Sequence, residues 1–174
     1  MADLEDLTSE PEELAEAGTV TYLTPEGYKK LHQELEYLTL TKRPEIAERI
    51  RESQEHGEFS EDNSELDEVK FEQAMVENRV AELKTIFSTA QILTDKVIPT
   101  DRVGIGSKVK LQDVELREEF EVQIVSSIEA DPSRDLVSTE SPLGEALLGS
   151  RPGDTVVVVA PDGNKVYKVL SISK

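Results

Sequence analysis

The chain has 174 residues, and 37 acidic against 19 basic residues give it a formal net charge of −18. Such a surface repels a duplex phosphate backbone at long range, which argues against a general DNA-coating role, although local basic positions can reach nucleic acid after a partner protein has docked. The lack of Cys excludes disulfides and thiolate metal sites. With no apolar stretch near the ~20 residues that span a membrane, and no secretion signal, the sequence predicts a soluble cytoplasmic protein.

The first segment, 1–21, is predicted to be a disordered acidic tail, because its apolar content is too low to offset the entropy of ordering. It has two interpretations, an interaction or regulatory tail and a solubilising extension. Its acidic residues, none of them balanced by a base, are Asp3, Glu5, Asp6, Glu10, Glu12, Glu13 and Glu16.

A long helix is predicted next, with Thr24 as the N-cap and Pro25 at the first helical position, where a missing N–H costs nothing. An amphipathic seam follows at spacings of three and four: Tyr28, Leu31, Leu35 and Leu38. Pro44 predicts a kink or restart near Lys42 to Glu45. The stripe then continues through Ile46, Ala47 and Ile50. Gly57 is placed to end the helix in a left-handed cap.

A second helix returns with an a/d seam of nearly four heptads, in which Gln73 is the polar position. The seam residues are Leu66, Val69, Val76, Val80, Leu83, Phe87 and Ala90. Two such segments joined by a short turn predict an antiparallel two-helix coiled-coil hairpin over 22–93, an arm about 45 Å long. A hairpin that satisfies its own seam favours a monomer.

The turn of this hairpin, near 57–63, is unusually acidic. Six carboxylates lie between Gly57 and Val69 without any Lys or Arg: Glu58, Glu61, Asp62, Glu65, Asp67 and Glu68. Carboxylate oxygens are hard ligands that suit Mg²⁺ or Mn²⁺. The pattern therefore favours a projecting acidic tip that delivers metal ligands into another molecule's active site. The alternative is a solvated turn.

The remainder of the chain is predicted to contain a linker, 94–103, and a small α+β domain, 104–174, with one core. Beyond Gly104, apolar residues recur at every second position, as is typical of strands. This pattern predicts strands at 109–111, 120–124, 136–137, 155–159 and 166–170. A short helix over 143–148 follows Ser141-Pro142 and ends at Gly149. Residues 161–164 predict a hairpin turn.

Three stretches of this sequence resemble the GreA/GreB family of bacterial transcript-cleavage factors, in the family's order and close to its spacing over 22–174. The first is LTPEGYKKL at 23–31 with RPEI at 43–46; the second is EHGEFSE at 55–61 with NSE at 63–65; the third is SPLGEALLG at 141–149 with PGD at 152–154. The resemblance implies an α+β protein in which an N-terminal coiled coil precedes a small FKBP-like domain.

The resemblance also implies a function. The globular domain of such a factor grips the rim of the secondary channel of bacterial RNA polymerase, and the coiled coil inserts through that channel. Its acidic tip then helps to hold a second Mg²⁺ and to position a water, so that the polymerase cleaves the 3′ end of a backtracked transcript. The protein would therefore be a catalytic cofactor of the polymerase, not a free-standing enzyme, and the isolated chain would bind no metal.

Carried over by position, the family's tip acids fall on Glu58 and Glu61, which would share the Mg²⁺ with the polymerase. The family pattern has Asp at the first place, and this chain also has an apparent extra residue, Asp62, which is a third catalytic candidate because it could replace Glu61. Family members often have Arg where this chain has Gln54. These departures leave cleavage competence open.

Other positions carry two interpretations each. Glu140, Ser141, Pro142 and Leu143 match the family's polymerase-docking loop, and the Ser-Pro step also starts a helix. Among the basic residues of the arm, Arg51 and Lys70 are candidates to lie near the RNA, as is Phe59 at the tip. For most of these basic residues, including Lys42, Arg43 and Arg49, surface salt bridges are the competing interpretation; Phe59 could equally cap the hairpin.

The sequence is therefore compatible with three functions. The leading hypothesis is a polymerase-bound cleavage stimulator, and the second is a non-cleaving regulator of the same fold that occupies the channel. The third, an FKBP-like prolyl isomerase or chaperone, ranks low because the C-terminal segment has few aromatic residues, Phe120 and Tyr167, to line a proline pocket.

Overall fold

The computed structural model describes residues 20–56 and 64–174. A helical hairpin precedes a curled five-stranded sheet, which confirms the predicted α+β class. The hairpin part contains β1 (Thr21–Leu23), α1 (Pro25–Tyr37), a π-helical segment (Leu38–Lys42), α2 (Arg43–His56), α3 (Ser64–Thr89) and β2 (Ala90–Ile92). The sheet part contains β3 (Lys108–Asp113), β4 (Glu119–Val125), a 3₁₀ turn (Pro132–Arg134), β5 (Leu136–Ser138), α4 (Pro142–Leu147), β6 (Thr155–Ala160) and β7 (Gly163–Ser173).

The predicted start of the arm is confirmed. Thr24 has extended backbone angles, and its Oγ1 accepts a hydrogen bond of 3.0 Å from the N–H of Gly27, with Pro25 in the first turn. This contact satisfies one of the four N–H groups that the first helical turn leaves without an intrahelical partner.

The base of the arm contains a small parallel sheet that the sequence pattern does not predict. Strands β1 and β2 pair from Thr21 with Ala90 to Leu23 with Ile92. The helical seam was predicted to reach Ala90, but α3 ends at Thr89. Strands of three residues are too short to show a period of two, so only the tertiary pairing reveals them. Thr21, at the end of the predicted tail, belongs to β1, and residues 1–19 lie outside the described part of the chain.

Two apolar clusters hold the arm together. The basal cluster buries Leu23, Leu31, Leu83 and Ile86. Ile86, which the sequence analysis did not assign to the seam, is buried more fully than Phe87; the Phe87 ring instead packs edge-on against Tyr28, with centroids 5.2 Å apart. The distal cluster buries Ile46, Val69, Val76 and Val80. Apart from Leu23 of β1, both clusters consist of apolar residues spaced by three and four along helices α1 to α3.

The restart expected near Pro44 is present as the π-helical segment. Pro44 has no N–H to bond the carbonyl of Leu40, and the N–H of Arg43 bonds the carbonyl of Leu38, five residues earlier. The wider turn rotates all later positions relative to an uninterrupted α-helix. This rotation brings Ile46 back onto the face of Leu38, whereas Ala47, predicted to be in the seam, is exposed, and Ser53 is buried. Gln73 is also exposed.

The second half is a sheet of order β5-β4-β3-β7-β6, in which β4 and β5 are parallel and the other pairs are antiparallel. Helix α4 packs against it and buries Leu147 in the core. That core consists of Val103, Val109, Leu111, Val122, Ile124, Leu147, Val156 and Val169. Each predicted strand is present, although β7 extends beyond 166–170 at both ends. The hairpin turn lies at Pro161-Asp162, where Ala160 pairs with Gly163.

Candidate functional site

The predicted catalytic tip falls in the part of the chain that the structure does not describe. Glu58, Phe59, Glu61, Asp62 and the predicted cap Gly57 all lie between the end of α2 at His56 and the start of α3 at Ser64. The structure therefore fixes only the two helix ends that flank this acidic segment. The roles of these residues remain predictions.

The described acidic residues next to the tip are exposed. Glu55, Glu65, Asp67 and Glu68 are all exposed. Glu65 and Asp67 lie in the first turn of α3, where negative charge interacts favourably with the helix dipole. Within 20–56 and 64–174, His, Asp and Glu nowhere form a group of three or more that could hold a metal ion.

The two predicted RNA-proximal cations lie on the arm near its described helix ends. Arg51 is exposed, and its Nη2 lies 2.5 Å from Oε1 of Glu48 on the same helix. Lys70 is exposed in the second turn of α3. The structure places both side chains on the arm surface, and their contact with RNA stays a prediction.

Ion pairs join the helices of the arm along its length. Arg79 binds Glu34 through two hydrogen bonds of 2.7 and 3.0 Å, and Arg43 binds Glu77 through two of 2.6 and 2.5 Å. Glu72 lies between two cations, 2.5 Å from Nη1 of Arg49 and 3.4 Å from Nζ of Lys42. The predicted alternative for Lys42, Arg43 and Arg49, ordinary salt bridges, is therefore confirmed.

These ion pairs shift the pKa values of the residues that form them. The hydrogen bond from Arg49 lowers the pKa of Glu72, and the hydrogen bonds from Arg43 lower the pKa of Glu77. The nearby charge of Glu45, followed by the bond to Glu72, raises the pKa of Lys42. Each group stays ionised at neutral pH, so the helices are held in one register by opposite charges as well as by apolar contacts.

The predicted docking loop, residues 140–143, leads into α4. The hydroxyl of Ser141 accepts a hydrogen bond of 3.0 Å from the N–H of Gly144 and donates one of 2.8 Å to the carbonyl of Ser138. Leu143 packs against the core of the sheet domain, while Glu140 and Pro142 are exposed. Ser141 therefore has a structural role as the N-cap, and the neighbouring Glu140 and Pro142 are free to contact a partner.

An exposed apolar surface that the sequence analysis missed adjoins this loop. Alternation along β6 buries Val156 and Val158, whereas Val157 and Val159 are 53% and 71% exposed. A depression of about 460 Å³ runs from these valines to the loop; we call it the docking patch, and its residues are Glu140, Pro142, Glu145, Ala146, Val157 and Val159. The sequence signal for this surface was the unbroken run Val156–Val159. A strand with one buried face requires an apolar residue only at every second position, so two of these four valines were available for an exposed surface.

The helical hairpin and the sheet domain correspond to the two domains of a family of transcription elongation factors. The N-terminal domain of the transcription elongation factor family matches residues 21–92, and the GreA/GreB C-terminal domain matches residues 98–174. The chain belongs to the GreA/GreB family.

Two relatives named as GreA factors agree with this assignment. The chain is 50% identical over 152 residues to transcription elongation factor GreA of Acetivibrio thermocellus, covering 87% of this chain and 95% of that one. It is 47% identical, with the same coverage, to GreA of Clostridium kluyveri. The crystal structure of GreA factor homolog 1 (Gfh1) of Thermus thermophilus is 35% identical and covers 90% of this chain and 100% of its own, at a TM-score of 0.39. No helix within 20–56 or 64–174 is long and apolar enough to cross a membrane.

Proposed function

We propose that this protein binds bacterial RNA polymerase and stimulates Mg²⁺-dependent cleavage of the 3′ end of backtracked RNA, which rescues arrested complexes. The proposal rests on membership of the GreA/GreB family, because the chain matches both of the family's domains in order. The protein would act as a cofactor of the polymerase's own nuclease activity.

The observation that carries the cleavage step is the placement of the acidic segment between the described ends of α2 and α3. The continuous helical stretch from Pro25 to His56 is about 45 Å long. Its apolar clusters and interhelical ion pairs keep it extended and narrow. An arm of this shape can carry Glu58 and Glu61 through a channel to a site far from the docking domain.

The carboxylates of the tip have the donor chemistry that Mg²⁺ prefers, namely hard, negatively charged oxygens. We assign Glu58 and Glu61 as the ligands contributed to a Mg²⁺ shared with the polymerase, with Asp62 as the substitute for Glu61. When bound, such a cation stabilises the attacking and leaving oxygens of phosphodiester hydrolysis. Arg51, Lys70 and Phe59 are proposed to lie along the RNA 3′ end.

The docking patch is the proposed contact with polymerase. The patch has an apolar centre, formed by the exposed valines of β6, and an acidic rim that includes Glu140. Protein interfaces usually have such an apolar core surrounded by polar residues. Ser141 and Leu143 support this surface from below, Ser141 by capping α4 and Leu143 by packing on the core.

A second candidate is a non-cleaving regulator that occupies the same channel. It is favoured by the two departures at the tip, Glu instead of Asp at position 58 and the additional Asp62. A prolyl isomerase is disfavoured, because Phe120 and Tyr167 pack against each other with centroids 5.5 Å apart and against the core of the domain.

Arrested, backtracked elongation complexes with Mg²⁺ separate these functions. We expect the chain to release short 3′ RNA fragments, and Glu58→Ala/Glu61→Ala to abolish release while polymerase binding persists. The control is Glu115→Ala/Glu118→Ala, which removes two exposed carboxylates of the sheet domain. Binding without release by the unmodified chain would establish the regulator instead. Release by the tip double variant would disprove the ligand assignment and direct the test to Asp62→Ala.

The docking patch is tested separately. Val157→Asp/Val159→Asp should weaken binding to polymerase by at least about tenfold, because charged groups would replace buried apolar contacts at the centre of the interface. Val114→Asp is the matched control, since Val114 is 49% exposed outside the patch. Equal affinities of the two variants would exclude this surface as the contact.

A further inference from the structure

The arm and the sheet domain meet at a carboxylate that binds the start of α1. Oε2 of Glu129 accepts a hydrogen bond of 2.9 Å from the N–H of Thr24, and its Oε1 accepts one of 2.5 Å from the Thr24 hydroxyl. The same hydroxyl accepts from the N–H of Gly27. The N-cap of the arm is therefore itself held in place by a residue of the other half of the protein, 105 positions away.

Gly27 provides the space for this contact. A β-carbon at position 27 would lie 1.7 Å from Oε1 of Glu129 and 2.8 Å from its Cγ, so any larger residue would expel the carboxylate. Glycine lowers helix stability by about 1 kcal/mol relative to alanine. Its presence in the first turn of a long helix is explained by the close approach of Glu129.

An ion pair lies beside this hydrogen-bonded contact. Nη2 of Arg134, in the 3₁₀ turn, lies 2.5 Å from Oε1 of Glu26. We call the five residues Thr24, Glu26, Gly27, Glu129 and Arg134 the latch. It sits beside a cavity of about 380 Å³ lined by charged and polar groups, among them Lys30, Glu34, Arg79 and Gln123.

The latch is polar, and the buried apolar clusters of the two halves are separate. The core cluster of the sheet domain shares no residue with the basal or the distal cluster of the arm. The clustered hydrophobic burial therefore stabilises each half separately. At the latch, directional hydrogen bonds and an ion pair join the two halves.

The length of the arm magnifies any error at its base. A rotation of about 10° there displaces the end of an arm about 45 Å long by about 8 Å. Misplacement of a catalytic group by as little as about 1 Å can reduce a rate about a hundredfold. A docking domain held firmly on its partner would therefore still fail to deliver the tip if the angle varied.

We infer that Glu129 and Arg134 are positioning residues, which fix the direction of the arm so that the tip carboxylates arrive where they act. This inference rests on the proposed function for its catalytic consequence. The angle itself is a property of the free protein and is measured without polymerase.

Because the chain contains no cysteine, spin labels can be attached to cysteines introduced at chosen positions. Labels introduced at Gln54 and Glu118, both exposed, report the distance between the arm and the sheet domain by pulsed electron spin resonance. We expect a narrow distribution for the otherwise unmodified chain and a broader one for Glu129→Ala. Glu129→Gln, which keeps the shape and one acceptor oxygen, should be intermediate, and Glu121→Ala on the exposed face of β4 serves as the control.

Kinetics distinguish positioning from folding or docking. The concentration of Glu129→Ala that half-saturates polymerase should stay within about twofold of that of the unmodified chain. Its cleavage rate at saturation should be about tenfold to a hundredfold lower. Gly27→Cys/Glu129→Cys then provides a reversible lock in an unlabelled chain, since the position of the new β-carbon relative to Cγ of residue 129 suits a disulfide. The oxidised form should recover cleavage and the reduced form should behave like Glu129→Ala.

Two results would overturn the inference. One is an unchanged distance distribution together with an unchanged saturated rate in Glu129→Ala. The other is an oxidised double-cysteine protein that is inactive while its reduced form cleaves. Cleavage would then require an angle of the arm different from the one that the disulfide holds. If the unmodified chain released no RNA at all, the proposed function would fail, and the distance distributions alone would decide the latch.

Discussion

Ile46 is the residue whose truncation should separate the stability of the arm from that of the sheet domain. Its side chain is 1% exposed and packs with Val69, Val76 and Val80 in the distal cluster. No residue of the sheet core belongs to that cluster. Ile46→Ala therefore removes apolar contact from the distal arm alone.

The magnitude follows from the size of the deletion. Three carbon atoms leave a fully buried site, which corresponds to about 2.4 kcal/mol of transfer free energy at about 0.8 kcal/mol per methylene. A residual cavity adds to this cost, but a two-helix arm can close part of it, so we expect about 3 kcal/mol. That is roughly a hundredfold in the equilibrium constant for local opening.

Hydrogen exchange resolved along the chain measures this effect. Amides in α2 and in the first half of α3 should exchange about a hundredfold faster in Ile46→Ala, while those of β3 and β4 keep their protection. Leu40→Ala is the matched control, because Leu40 is 75% exposed on the same arm. Equal acceleration in the sheet would show that arm and domain open as one unit, and no acceleration in α2 would show that the cluster does not stabilise the arm.

Two further predictions concern the docking loop and the ion pairs. Ser141→Ala removes the N-cap of α4 and should lower the stability of the sheet domain by about 1 kcal/mol, or its melting temperature by about 4–8 °C. The control is Ser171→Ala, since Ser171 is exposed. A melting temperature equal to that of the control would contradict the capping role. The lowered pKa values of Glu72 and Glu77 mean that their contribution to arm stability is present above the unfolded value of 4.5 and is lost as the pH falls below it through the folded value. As the pH is lowered from above to below 4.5 at low salt, the melting temperature of the arm should therefore fall by more in the unmodified chain than in Glu72→Gln/Glu77→Gln. An identical pH dependence would show that these pairs do not stabilise the arm.

The helices, their caps and most of the seam could be predicted from local patterns. Thr24-Pro25 and Ser141-Pro142 start helices as expected, because an N-cap depends only on residues within one turn. The prediction was wrong for Ala47, because the phase of the helix after the π-helical segment places Ile46 on the buried face and Ala47 one position beyond it. It also missed β1 and β2, whose pairing joins residues almost seventy positions apart.

The candidate sites divide in the same way. The acidic tip and the docking loop are contiguous in sequence, so composition and resemblance to the family were enough to propose them. Val157 and Val159 became visible only when the edge strand β6 was placed against β7 and α4, because the sequence shows four valines and not which two face outward.

By itself the sequence determined that a helical arm precedes a small α+β domain, and which carboxylates the chain carries between the two long helices. These features follow from periodicity, caps and composition, which act over a few residues. Only the tertiary structure decided the direction of the arm, since the contact of Glu129 with Thr24 and Gly27 joins surfaces that no local pattern connects. A hydrogen-bonding carboxylate and a missing β-carbon are each unremarkable alone, and become a positioning device only when the fold brings them together.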